Sequence, residues 1–436
     1  MNAGPKNKRE SIPERLRPCK KAARGAREGK FSLDFMGDFA STLGNPRVGR
    51  LDMKFVTARR LQDIEPFHVM SVLARAHELE AQGRSIIHME IGEPDFATAD
   101  GIRQAAMAAI KAGHTRYLPA LGLPALRQRI ADSYAADVRP SAQRVVVTPG
   151  ASGALQLVFA ALLSPGDQVL LADPGYPCNR HFVRLFEGEA VAIAVDASTH
   201  YQLTADLVRK HWTQRTVAVL ISSPANPTGT LVPDDEMAAI IETVSDLGGR
   251  VVVDEIYSGL VYDLEPVPAL RHSEEVFVIN SFSKYFGMTG WRVGWLVAPE
   301  EYIPAIDKLA QNIFIATSAP AQYAALAAFD PGVDEELQRR VQLFRQRRDF
   351  LLPALRDIGF DIAVVPEGAF YLYADCSRFG RNSEKLALQV LEQIGVAITP
   401  GRDFGNFEPE RYVRFSYANT FEQLEEGVRR LRGFLV

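Results

Sequence analysis

The run Val276-Phe277-Val278-Ile279-Asn280-Ser281-Phe282-Ser283-Lys284-Tyr285-Phe286-Gly287-Met288-Thr289-Gly290-Trp291-Arg292-Val293-Gly294 decides how this chain is read. Val276 to Asn280 is an apolar, β-rich stretch bounded by polar residues, the pattern of a buried strand. Lys284 therefore falls just beyond the C-terminal end of a strand, where open α/β sheets hold their ligands. Two serines precede it, and a glycine-rich turn leads to Arg292. An amine in this position forms a Schiff base with an aldehyde, most readily when its pKa is depressed. The hydroxyls of Ser281 and Ser283 and the planar guanidinium of Arg292 are donors for a phosphate on the same molecule. A solvated loop lysine has the same spelling, so the reading rests on what accompanies it.

Outward from this run, short apolar stretches alternate with helical spacing. Strands are expected at Val145–Val147, Gln168–Leu171, Ala190–Val195, Val217–Ile221 and Val251–Val253. Helices are expected at 99–112, 123–135, 153–163, 179–186 and 234–247. Continuous rather than alternating apolar strands point to a mainly parallel sheet covered on both faces. A long charged helix over 333–358 follows. Strands at 360–364, 370–374 and near Val396 and Val413, with helices at 384–393 and from Phe421, make a mixed α+β piece. The domain expectation is a tail at 1–52, an N-terminal segment at 53–97 packing with the small domain, a large domain at 98–329 and a small one at 330–436.

Four further strand ends carry polar side chains. Thr148-Pro149-Gly150-Ala151-Ser152-Gly153 opens a helix, whose N-terminal amides and dipole favour a phosphate. Tyr176, in Asp173-Pro174-Gly175-Tyr176, offers a flat face for ring stacking. Asn226, before Pro227, is held extended or in a turn, with a peptide bond open to the cis form. Asp254 ends an apolar strand and needs a cationic partner, which a protonated pyridine nitrogen supplies. Tyr257 follows within reach of a ring hydroxyl.

Ser-x-Ser-Lys with an arginine eight residues after the lysine resembles the cofactor-lysine signature of the class I/II pyridoxal-phosphate aminotransferases. Asn226, Asp254, Tyr257, Lys284 and Arg292 follow that family's order. The resemblance implies fold type I, pyridoxal 5'-phosphate as cofactor, and amino transfer between an L-amino acid and a 2-oxo acid by a ping-pong route through pyridoxamine phosphate. It implies that Lys284 is catalytic, that Ala151 and Ser152 bind the phosphate, and that Arg414 and Gly92 bind the substrate α-carboxylate. Tyr117 would reach the phosphate of a neighbouring subunit, so that a homodimer shares its active sites; Leu118 departs from the threonine common there. Phe67, His68, Met70 and Phe370 are expected near the substrate side chain, with His68 structural. No second arginine identifies itself for a distal carboxylate.

The 436 residues carry 47% hydrophobic and 23% charged side chains, as in globular proteins, and a formal charge of −4 gives nucleic acid no hold. Three scattered cysteines (Cys19, Cys178, Cys376) have no metal-ligand spacing and point to a reducing compartment, the cytoplasm. No run has the length of a membrane span. The first thirty residues, with five Lys and five Arg against three Glu, are a basic tail of disordered composition, which a start at Met53 explains equally well. Three other readings stand beside the transferase: a C–S β-lyase on the same cofactor site, a cofactor-binding regulator, and a dehydrogenase. The missing helix-turn-helix pattern argues against the regulator. The missing Gly-x-Gly-x-x-Gly argues against the dehydrogenase.

Overall fold

The computed structural model describes residues Thr57–Val436 as one compact unit; the basic tail and Cys19 lie outside the described residues. In chain order the elements are α1 (His68–Ala81), β1 (Ile87–His88), α2 (Asp100–Lys111), α3 (Pro124–Asp132), β2 (Val145–Thr148) and α4 (Gly150–Leu162). There follow β3 (Gln168–Asp173), α5 (Pro177–Leu185), β4 (Glu189–Ala194), α6 (Ala205–His211), β5 (Thr216–Ser222), α7 (Asp234–Asp246), β6 (Arg250–Asp254) and β7 (Phe277–Ser281). Then come β8 (Gly294–Val297), α8 (Ile303–Ile313), α9 (Ala319–Leu326), α10 (Pro331–Ile358) and β9 (Tyr371–Asp375). The chain closes with α11 (Ser383–Ile394), β10 (Val396–Ala397), β11 (Thr399–Pro400), β12 (Tyr412–Ser416) and α12 (Phe421–Leu435).

Seven strands form the central sheet in the order β2-β8-β7-β6-β5-β3-β4. Neighbours from β4 to β7 pair parallel, while β8 runs antiparallel to both β7 and β2. The apolar strands are continuous because both faces are covered. Val145, Val147, Val219, Val253 and Val278 pack under α2, α3, α7 and α9, whereas Val146, Leu220, Val252 and Ile279 pack under α4 and α8. Each such fully buried side chain contributes roughly 1.5–3 kcal/mol. The sequence reading assigns no elements between Arg292 and Phe329; the structure has β8, α8 and α9 there.

A second core gathers β9, β12, α10, α11 and α12, and takes in Ile87 and Met89 from the N-terminal segment. There β11-β12-β9 is antiparallel, and β1 pairs parallel with β10. Thr420 caps α12 by accepting from Gln423 N, and Gly359 in left-handed backbone (φ 118°) ends α10. The strand expected at 360–364 is reduced to a single bridge between Asp361 and Asp375, because the carbonyl of Ile362 is taken by the Arg356 guanidinium instead of a neighbouring strand. In the N-terminal segment strand pairing is confined to Ile87–His88, since the partner β10 is two residues long and the carbonyl of Glu90 serves Arg414.

Candidate active site

The C-terminal ends of β5, β6 and β7 open into a cavity of about 460 Å³ between the two cores. Gly92, Ala151, Ser152, Tyr176, Asn226, Asp254, Tyr257, Ser281, Ser283, Lys284, Arg292 and Arg414 all line it. Tyr117 does not; it lies on the surface, 82% exposed.

Lys284 stands three residues past β7, its ammonium nitrogen donating to the carbonyl of Gly92. Burial lowers its pKa to about 8, with Arg414 and Arg292 adding to the shift and Glu93 and Asp254 opposing it. Asp254, at the end of β6, accepts from Ile256 N at 3.1 Å, and burial raises its carboxyl to about 6 against the pull of Lys284. It is therefore mostly ionised at neutral pH. The Tyr257 and Tyr371 hydroxyls are 2.8 Å apart, and burial pushes Tyr257 well above its ordinary range.

On the opposite wall α4 begins at Gly150, in left-handed backbone at φ 70°, and its first amides belong to Ala151 and Ser152. A Cβ on Gly150 would lie 2.5 Å from Nη2 of Arg292, so only glycine lets the loop and the guanidinium meet. Arg292 itself has φ 53°, and the hydroxyls of Ser281 and Ser283 are 3.0 Å apart beside it. Helix amides, two hydroxyls and a guanidinium fit a phosphate; an ionised Asp254 and the face of Tyr176 fit a protonated aromatic ring; Lys284 fits an aldehyde.

Arg414 comes from β12. Its Nη1 donates to Oδ1 of Asn226 at 2.8 Å and its Nη2 to the carbonyl of Glu90, while Nε is buried without a partner among the described residues. The guanidinium lies 4.3 Å from the ring centre of Tyr371 and 4.9 Å from that of Phe404. A Cβ on Gly92 would meet the Tyr371 hydroxyl at 2.5 Å, so the backbone is closely drawn in here. The Asn226–Pro227 bond is cis.

Phe67 and Met70 line the cavity from the start of α1; His68 does not, and its backbone N–H donates to Asp403 at 2.9 Å. Phe370, expected at the substrate, is fully buried against Phe344. Strand alternation turns the next residue, Tyr371, toward Arg414 instead. Sequence reasoning also missed Glu93, Thr289 and Asp403, which line the same cavity. Glu93 alone carried a signal, standing next to Gly92 in Gly92-Glu93-Pro94-Asp95.

A seven-stranded, mainly parallel sheet with a lysine, an aspartate and an arginine at its strand ends is the fold-type-I arrangement of an amino-group-transferring enzyme. The family model for aminotransferases of class I and II matches residues 84–431, and the chain belongs to that family, which is generally pyridoxal-phosphate dependent. The chain is 38% identical to the valine–pyruvate aminotransferase of Mycobacterium tuberculosis, over 85% of this chain and 97% of that one. It is 34% identical to the (5-formylfuran-3-yl)methyl phosphate transaminase of Methanocaldococcus jannaschii, over 87% and 99%. Among solved structures, that of aspartate aminotransferase from Thermus thermophilus with maleate superposes with a TM-score of 0.83 at 32% identity, covering 88% of this chain and all of that one. The chain is an aminotransferase; its relatives favour amino transfer over the β-lyase reading. Among the described residues no helix is long and apolar enough to cross a membrane.

Proposed function

We propose that this chain moves the amino group of an α-amino acid with an uncharged side chain to a 2-oxo acid, using pyridoxal 5'-phosphate held on Lys284. The observation that carries the reading is a buried lysine of depressed pKa placed between a phosphate-sized cluster of donors and a buried aspartate. When bound, the cofactor supplies an electrophilic aldehyde and a ring that acidifies the substrate's Cα proton. Ala151, Ser152, Ser281, Ser283 and Arg292 would hold the phosphate and Tyr176 would pack on the ring. Asp254 would keep the ring nitrogen protonated. Asn226 spends its oxygen on Arg414 and so keeps Nδ2 free, with the Tyr257 hydroxyl, for the ring hydroxyl.

Arg414, with its unpaired Nε, binds the substrate α-carboxylate beside the backbone of Gly92. Lys284 Nζ would be the base placed to take the proton from the substrate Cα and to hold it for return to the same side of the cavity. A 2-oxo acid runs the same steps in reverse. The side-chain end of the cavity is walled by Phe67, Val69, Met70, Leu73 and Ile91, and its only cations among the described residues are the three already assigned. Among the described residues of one protomer no further cation lines this end for a distal carboxylate, which favours uncharged substrates; a relative bears the name valine–pyruvate aminotransferase.

We further propose a cytoplasmic homodimer in which Tyr117 enters the partner's phosphate site, with residues 57–97 and 330–436 moving as a small domain against 98–329 to close on substrate. The exposure of Tyr117 supports the first, and the separate apolar core around β9 and β12 the second. The test is an absorbance scan of protein loaded with the cofactor, before and after single amino acids are added. The visible band of the lysine-held cofactor should vanish with an apolar amino acid and return with a 2-oxo acid. Lys284→Ala should lack both band and turnover. Retained turnover in that variant, or pyruvate accumulating without an acceptor, overturns the reading.

A further inference from the structure

The strand ends that carry the active site also have a back. Ser222, Asp254, Ser281 and Lys284 face the active-site cavity, and their immediate neighbours Ser223, Glu255, Asn280 and Tyr285 line a second one of about 800 Å³ on the other side. Period-two alternation produces this pairing at three adjacent strands. The volume lies within the roughly 300–1,000 Å³ of small-molecule sites.

The second cavity is apolar and aromatic at its base and acidic throughout. Trp295 (4% exposed) and Phe286 (8% exposed) lie at its base, with Tyr134 and Phe329 at the sides. Asp234, Glu255, Glu265, Asp334 and Glu367 line it, and no Lys or Arg does among the described residues. Three of these carboxylates have partners: His272 on Asp234, Tyr285 on Asp334 and the amide of Leu231 on Glu367. Glu255 differs. It is 6% exposed, and its one side-chain hydrogen bond among the described residues comes from Ala269 N at 2.8 Å to Oε1. Among the described residues its other oxygen has no donor, and the Tyr134 hydroxyl, which accepts from Nε1 of Trp295 at 3.1 Å, has no acceptor for its own proton. A buried carboxylate with a free oxygen, set among aromatic rings and facing a cavity, lacks its cation.

We propose that this cavity is a second ligand site, back to back with the active site, for an organic cation with a flat apolar body. The cationic head pairs with Glu255, and the body lies along Trp295, Phe286 and Tyr134. Burial, with the neighbouring Asp254 carboxylate adding to it and the Ala269 amide opposing it, pushes the Glu255 carboxyl up to about 7, and a cation at its free oxygen draws it back toward the ionised form.

Benzamidine is a suitable probe, being flat, cationic at neutral pH and a two-point donor that does not add to an aldehyde as an amine does. Titrated by calorimetry into the cofactor-loaded enzyme, it should bind saturably, and substrate amino acid should not displace it. Glu255→Gln should weaken binding by at least ~tenfold, and the uncharged analogue benzamide should bind the native protein correspondingly poorly. Val267→Arg, at an exposed rim position, places a competing cation in the mouth and should weaken benzamidine similarly without touching the core. The readout is independent of turnover, so it stands apart from the transaminase reading. Equal affinity in native protein and both variants, displacement by substrate, or no binding at about 10 mM probe overturns the proposal.

Discussion

Lys284 and Asp254 share one buried space, and burial pushes both toward their neutral forms: the lysine down to about 8, the aspartate up to about 6. The neutral amine attacks the aldehyde, so the rate at which cofactor-free protein captures pyridoxal phosphate should rise with pH through about 8 and then level off. A stopped-flow series of visible absorbance against pH checks this. A flat profile would contradict the lysine's role. On the acid side, activity should fall as Asp254 takes up a proton near pH 6. Asp254→Asn should keep the cofactor and lose about 10²–10³ in kcat. Arg414 already spends Nη1 on Asn226 and Nη2 on Glu90, and a lysine replaces neither fork nor ring stacking. Arg414→Lys should raise KM for amino acid and oxo acid alike by at least ~tenfold; steady-state kinetics with an unchanged KM would refute the assignment.

At the scale of elements, the 28-residue α10 is tied to the active-site loop by one ion pair. Arg347, with a side chain 5% exposed, grips Asp95 through two hydrogen bonds of 2.7 and 2.9 Å and lies 5.0 Å from the ring centre of Phe96. Asp95 follows Gly92 by three residues, so this clamp holds the backbone that receives Lys284. Asp95→Ala strands a buried guanidinium and should cost about 3–5 kcal/mol, read as a lower midpoint in urea unfolding. The start of α4 is the second such element. Gly150→Ala forces a side chain into left-handed backbone and against Arg292. It should weaken cofactor binding by roughly tenfold, measured by titrating cofactor-free protein, with α4 otherwise intact.

For the whole molecule, the outlier is Tyr117. Every other residue proposed to hold the cofactor or the substrate α-carboxylate lines one cavity, and this one is 82% exposed. If a second copy receives it, the protein should sediment as a dimer. Tyr117→Ala should then weaken cofactor affinity by about tenfold while leaving the unfolding midpoint within ~0.5 kcal/mol. Unchanged affinity would leave the tyrosine a surface residue.

The cofactor-facing residues were legible because most stand at or just past a strand end: Asp254 and Ser281 close β6 and β7, Tyr257 and Lys284 follow within three residues, and Ala151 and Ser152 open the helix after β2. A run such as Val251–Asp254 announces both the strand and the group at its end, and local spacing carries the geometry. The substrate side was legible only through the family resemblance, which placed Phe67, Met70, Gly92 and Arg414 there but not Tyr371 or Asp403. Phe67, Tyr371, Asp403 and Arg414 come from segments more than three hundred residues apart at the extremes, and no local pattern says that they meet. Nor does period two alone say which residue of the Phe370–Tyr371 pair faces the cavity; the register of β9 against β12 decides that. The stretch from β8 to α9 is left unassigned in the sequence reading, where the structure has a four-residue antiparallel strand and two helices. Sequence by itself determined the chemistry of the strand ends. Packing of distant segments determined the shape of the space around them, and with it the second cavity behind Glu255, because side-chain contacts across such separations are set by the closed core and not by neighbours in the chain.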